Sequence, residues 1–179
     1  GPNQGRGIAA GFWFNRGGET TGSLNIAPDG SVTIMVGTPD VAGSRISICM
    51  MAAEELGIPV DKVRAIIADT SALGYNHVSA GSRVTFSSGM VIVDSARQVI
   101  AELVKRAAEI WDVPEDQIEY ADGALRHRSD PELRLSFKEI AGIFWEETAI
   151  DGVYPSTETV QDGTYTPLGR PLFIYVKNA

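Results

Sequence analysis

The chain has 179 residues, 44% of them hydrophobic and 21% charged, a composition suited to a soluble globular protein with a core of one or two domains. A formal net charge of −8 with no Lys/Arg-rich run argues against nucleic acid or an acidic membrane as partner. No stretch approaches the roughly 18 consecutive apolar residues of a membrane span, no signal-peptide order opens the chain, and the single cysteine excludes an internal disulfide and a Cys-rich metal site.

These features point to a cytoplasmic protein, with the oligomeric state left open. Only two histidines, His77 and His127, are present, which argues against a His-based metal centre or a Ser/His/Asp triad. A start at Gly1 without an initiator Met reads as an excised domain or processed piece.

Residues 7–15 are apolar and Gly-punctuated. The run Gly22 to Ala27 alternates, Pro28-Asp29-Gly30 signals a turn, and Ser31 to Val36 alternates again with strong β formers, so a hairpin closing at Gly37 is expected. From Arg45 to Leu56 an apolar stripe recurs at helical spacing and ends at Gly57. Ile58-Pro59 breaks that helix, and Val63 to Ala68 reads as a buried strand.

The order then repeats. Ala42-Gly43-Ser44-Arg45 returns as Ala80-Gly81-Ser82-Arg83, each copy opening a helix, the second from about Val84 to Trp111. Each helix leads into a Pro-containing break and a strand, through Gly57-Ile58-Pro59-Val60-Asp61-Lys62-Val63 and Asp112-Val113-Pro114-Glu115-Asp116-Gln117-Ile118. Tyr120 to Leu125 is a further hairpin signal. Ser136-Phe137-Lys138-Glu139 fits a capping box that opens a helix to about Glu147. A shift in composition sets a boundary near Ala149, and a last apolar strand spans Pro171 to Val176. The fold class expected is α+β: β-hairpins and two strand-turn-helix-strand units that pack helices on a mixed sheet.

A Gly-Ser turn at a helix start exposes backbone N–H groups at the positive end of the helix dipole, where an anion is favoured. Arg in the first turn opposes that dipole, and its presence in both copies suggests a use. Ser44 and Ser82 would supply hydroxyls, while Arg45 and Arg83 would offer forked donors to phosphate or carboxylate. The alternative is two ordinary N-caps whose Arg side chains pair with Asp40 and Asp69. Those acids themselves read either as an acid/base pair or as turn-forming residues at strand ends. Cys49 sits in the first helix as a small apolar residue, His77 lies on a loop beside the second turn where it could line a pocket, and His127 lies on a hairpin arm.

Residues 37–45, the helix with Met50-Met51-Ala52-Ala53-Glu54-Glu55-Leu56-Gly57, Ala68-Asp69-Thr70, and Ala80-Gly81-Ser82-Arg83-Val84-Thr85-Phe86 with Gly89 resemble the molybdopterin-binding subunit of xanthine dehydrogenase and aldehyde oxidase-type molybdenum hydroxylases. The resemblance covers about Gly5 to Ala141. It implies an oxidoreductase fragment in which Ala42, Gly43, Ser44 and Arg45, with Ser82, Arg83 and Thr85, contact the cofactor, a molybdopterin cytosine dinucleotide in the parent family or none in this chain. It also implies iron–sulfur and flavin subunits as partners.

The family commonly has Gly at the position of Ala42 and often Gln at that of Gly43, so the second loop keeps the closer agreement. The Gly-Val-Gly-Glu type motif that carries the family's catalytic Glu is missing from the sequence. No catalytic or metal-ligating residue is therefore assigned, and a fragment inactive alone is expected. Residues 150–179 resemble the C-terminal region of phosphate-transporter substrate-binding proteins, which divides the chain into 1–149 and 150–179 and implies a chimera. A non-enzymatic phosphate or oxyanion-binding module, or a purely structural chimera, stands as the alternative.

Overall fold

The computed structural model describes residues 2–14, 16–67, 69–71, 73–146 and 173–178. Strands β1 (Thr20–Ile26) and β2 (Val32–Val36) form the expected antiparallel hairpin, with Leu24 opposite Ile34 and Ile26 opposite Val32. At its turn Asp29 Oδ1 accepts the Ser31 N–H at 2.9 Å, and Gly30 has a φ of 77°. The alternation turns Leu24, Ile26, Val32, Ile34 and Val36 into the core, where each is at most 2% exposed.

Helix α1 (Ser44–Leu56) connects β2 to β3 (Val63–Ile67), which pairs parallel to β2. The sheet order is β3-β2-β1-β7, where β7 (Phe173–Asn178) runs antiparallel to β1, so the sheet is mixed. The expected burial of β3 is corrected. Among the described strands it lies at the edge of the sheet, its Arg64 and Ile66 are exposed, and Arg64 Nε donates to Thr33 Oγ1 at 2.9 Å. The boundary placed near Ala149 lies outside the described residues.

Helix α2 (Arg83–Trp111) lays one apolar face, including Val91, Ile92, Ala96, Val99 and Leu103, into the core. Its period is that of an amphipathic helix packed on a sheet. A second, antiparallel sheet follows in the order β4 (Ile118–Ala121), β5 (Ala124–His127), β6 (Arg134–Ser136). Helix α3 (Phe137–Glu146) then starts on the expected capping box: Glu139 Oε2 accepts the Ser136 N–H at 2.8 Å, and Ser136 Oγ accepts the Glu139 N–H at 3.3 Å.

Both long helices end alike. Gly57 (φ 63°) and Asp112 (φ 53°) take left-handed conformations, then Pro59 and Pro114 open single 3-10 turns closed by Lys62 N–H to Pro59 O at 3.0 Å and Gln117 N–H to Pro114 O at 3.1 Å. The repeated Pro-acid-aliphatic spacing is therefore a repeated geometry. Ahead of the helices the copies differ, since β2 leads toward α1 whereas the described residues of 73–80 form no strand before α2.

The second sheet is docked on the end of α1. The Tyr120 hydroxyl donates to Leu56 O at 2.6 Å, and burial raises the phenol's pKa, which keeps it a donor. A Cβ on Gly57 would lie 2.3 Å from Gly123 N, so the left-handed turn and the close approach both demand glycine. Tyr120→Phe is expected to cost about 1 kcal/mol in urea denaturation, as one net hydrogen bond does. Gly57→Ala is expected to cost about 2 kcal/mol or more, because overlap adds to the positive-φ penalty.

Candidate functional site

The four residues shared by the two turns fold one position out of step. Ala42 (φ 37°) and Gly43 (φ 87°) are left-handed and α1 begins at Ser44, whereas Gly81 (φ 59°) and Ser82 (φ 55°) are left-handed and α2 begins at Arg83. One residue of slip turns a side chain by about 100° around a helix axis. The two arginines consequently have opposite fates.

Arg45 stays at the surface and pairs with Asp40, Nε to Oδ2 at 3.2 Å. Asp40 Oδ1 also accepts the Arg45 N–H at 3.3 Å, so a carboxylate of the chain itself already sits at the start of α1. The Ser44 hydroxyl oxygen, 3% exposed as a residue, accepts the Val41 N–H at 3.0 Å. Gly43 faces open space, and Ala42 forms the turn beside it. At the first turn the Arg–acid pairing reading thus fits Arg45.

Arg83 is 1% exposed. Nε donates to Gly17 O at 3.1 Å, Nη1 to His77 O at 2.8 Å, and Nη2 to Gly18 O at 3.1 Å, Glu19 O at 2.9 Å and the Thr20 hydroxyl. The forked donors expected to reach a ligand are turned into the protein and occupied, and the alternative pairing with Asp69 is not what holds them. All five acceptors belong to neutral groups, so among the described residues the guanidinium is solvated by dipoles and meets no carboxylate. Burial lowers its pKa from the ordinary arginine value.

The two loops nonetheless meet. Val41 of the first turn, with Ser79, Ala80, Ser82, Arg83, Val84 and Thr85 of the second, lines a cleft of about 260 Å³. Ser82 and Thr85 are exposed, no side chain of the N-cap residue bonds the start of α2, and no acidic residue lies in its first turn. The structure therefore brings Ser82, Arg83 and Thr85 together with Val41, while Ala42, Gly43, Ser44 and Arg45 stand beside the cleft.

Asp69 accepts from the Ser71 N–H at 3.0 Å and the Ser71 hydroxyl at 2.6 Å, the turn-forming role. Cys49 is buried, and burial pushes its thiol pKa up, the opposite of an activated thiolate. The His77 ring packs under Gly18 and its Nδ1 is buried without a partner, so it does not line the cleft. His127 meets Gln117, Nε2 to Oε1 at 2.9 Å. Among the described residues no group of three His, Cys, Asp or Glu could hold a metal ion, and no helix is long and apolar enough to cross a membrane.

Sequence reasoning passed over the strap of residues 16–19. Its Arg16 N–H donates to Gly81 O at 2.9 Å, and Glu19 O accepts the His77 N–H at 3.0 Å. The Gly17-Gly18 pair was the available signal for a backbone that must approach another closely.

A family model described as the molybdopterin cofactor-binding domain matches residues 2–173. The chain is 29% identical over 150 residues to a probable xanthine dehydrogenase subunit of Bacillus subtilis (strain 168), covering 82% of this chain and 20% of that protein. It is 30% identical over 124 residues to the carbon monoxide dehydrogenase large chain of Hydrogenophaga pseudoflava, covering 69% of this chain and 15% of that one.

Among solved structures, Cu,Mo-CO dehydrogenase superposes with a TM-score of 0.67 at 28% identity, covering 71% of this chain and 16% of that one. Quinoline 2-oxidoreductase from Pseudomonas putida 86 superposes at 0.65 with 20% identity, over 89% of this chain and 19% of that one, a likeness of fold. The chain spans 20% or less of these relatives. The family match continues past residue 149 to residue 173, and nothing in the comparisons supports a tail derived from phosphate-transporter proteins.

Because Arg83 donates to four carbonyls and a hydroxyl, Arg83→Ala is expected to cost about 2–3 kcal/mol in denaturant unfolding, the range for losing hydrogen bonds from a charged donor. Arg83→Lys should recover little, since an ammonium lacks the planar fork. Arg45→Ala, which removes an exposed pair, should stay within about 1 kcal/mol.

Proposed function

The chain belongs to the molybdopterin cofactor-binding domain family, and from that premise we propose that it forms one wall of a cofactor site in a molybdenum hydroxylase large subunit and is inactive alone. The observation that carries the reading is the start of α2. It is uncapped by its own N-cap side chain, free of acid in its first turn, backed by a buried guanidinium that meets no carboxylate among the described residues, and open to a cleft reached by both loops. A helix dipole and a cation of the same sign, placed together in a chain of net charge −8, favour an anionic ligand group there.

The donor set fits the phosphate portion of a molybdopterin cytosine dinucleotide. Thr85 offers a hydroxyl beside Ser82 in the cleft and the first turn of α2 offers N–H groups, whereas the start of α1 already holds Asp40 and is the poorer seat for an anion. Arg83 contributes charge without a direct bond. Ala42, Gly43, Ser44 and Arg45 shape the neighbouring rim, where Gly43 leaves the backbone open to close approach.

When bound, the cofactor would supply the two-electron redox chemistry by which an aldehyde or N-heterocycle gains a water-derived oxygen. The chain's residues would bind and orient it, in company with the remainder of a large subunit and iron–sulfur and flavin subunits in the cytoplasm. Residues 1–149 would carry the cofactor contacts. The relatives' own names, one a dehydrogenase subunit and the other a dehydrogenase large chain, support an origin in a multi-subunit enzyme.

Protein purified from a molybdenum-replete host should carry molybdenum and release a cytidine nucleotide on acid treatment, while showing no hydroxylation of aldehydes. Thr85→Glu, which places a carboxylate at the positive end of α2, should hold or raise the melting temperature yet abolish nucleotide content. Tight binding of inorganic phosphate with neither molybdenum nor nucleotide would instead establish an oxyanion-binding module.

A further inference from the structure

We propose that the outer face of the α1 and α2 pair is a two-fold interface that seats a second copy of this chain. The two helices run side by side in the same direction: Val41 shares the cleft with Val84 and Thr85, a Cβ on Gly89 would lie 2.3 Å from Met51 Sδ, and Arg97 Nε donates to Glu55 Oε1 at 2.8 Å. Their inner sides supply the core, with Ile48, Ala52 and Leu56 from α1 and Val91, Ile92 and Ala96 from α2 fully buried. On the outer side Ile46 and Met50 follow at a four-residue step on α1, as Phe86 and Met90 do on α2. These four are 54%, 56%, 56% and 42% exposed, and Val41 beside them is 50% exposed. A helix that is apolar on opposite sides belongs to a middle layer. Among the described residues nothing covers the outer side.

The pattern of the face selects its occupant. Each row ends on an acid, Ile46-Met50-Glu54 on α1 and Phe86-Met90-Asp94 on α2, and Glu55 adds a third carboxylate at that end around Arg97. The opposite end has no acid in the first turn of either helix, and its Asp40 is paired with Arg45. Because the helices are parallel, a two-fold axis through the methionines lays a second pair antiparallel on the first, apolar rows on apolar rows and acidic ends on helix starts. The face is thus complementary to itself. Its five apolar side chains expose roughly 500 Å² in one copy, so two copies would bury on the order of 1,000 Å², the size at which a specific interface begins.

The test is sedimentation equilibrium of the 179-residue chain at near-physiological salt, which should show the 19.2 kDa chain in reversible equilibrium with a species of twice that mass. Met50→Glu and Met90→Glu should each weaken the pairing by about a hundredfold, because the two-fold axis buries each new carboxylate twice. Both positions are exposed, so the circular dichroism of the dilute variants should match wild type. Trp13→Ser, on the exposed aromatic segment ahead of the strap, should leave the pairing unchanged. A chain that stays monomeric at near-millimolar concentration would overturn the proposal. A dimer that survives both methionine variants, or that Trp13→Ser dissociates in their place, would overturn this face as its seat.

Discussion

The site depends on one buried cation. The Arg83 guanidinium gathers carbonyls from residues 17, 18 and 19 and from His77, segments that no ladder of the sheet joins to the start of α2. Its five donated hydrogen bonds therefore tie strap and loop alike to the start of α2. Asn76 completes the lacing one residue further along β1. Its Oδ1 accepts the Thr21 N–H at 3.2 Å and its Nδ2 donates to Thr21 Oγ1 at 3.0 Å, in space left by Gly37. The described part of the long connection between β3 and α2 is thus ordered by side chains that bond main chain and hydroxyl groups, in place of strand pairing.

The same arginine makes the two helix starts electrostatically unequal. At α1 the exposed Arg45 attracts Asp40, and that carboxylate takes the N–H that a ligand would otherwise meet. At α2 the slip of one residue removes Arg83 from the surface, so it recruits carbonyls, and carbonyls solvate a charge without neutralising it. Burying a cation at the positive end of a helix is unfavourable by both desolvation and dipole. An anion in the cleft would relieve both terms at once.

Regular elements were legible where a local rule governs them. The Asp29 turn, the alternation through β1 and β2, the stripe of α2, the glycine end of α1 and the Ser136–Glu139 capping box all follow from residues within a few positions of one another. What escaped depends on distant partners. That β3 would be an edge strand depends on which strand lies beyond it, and Ile66 reads the same in either place. The inward turn of Arg83 needs acceptors some 65 residues away in the strap, for which the sequence offered only a Gly-Gly pair. The placement of β7 against β1 lies equally beyond any local pattern.

The repeated Ala-Gly-Ser-Arg shows where local information ends. Downstream of each helix the two units agree in geometry, because a left-handed residue and a proline with fixed φ leave the chain few alternatives. Upstream, the same four residues yield different helix phases, because glycine and small polar residues permit several. The choice then falls to tertiary partners. In the first copy the Ser44 hydroxyl oxygen takes the Val41 N–H and Asp40 takes that of Arg45, which starts the helix early; in the second, Gly81 is covered by the strap and helix formation waits for Arg83. A motif identical in letters thus becomes two different devices, an acid-filled helix start at the rim and a positively biased one in the cleft.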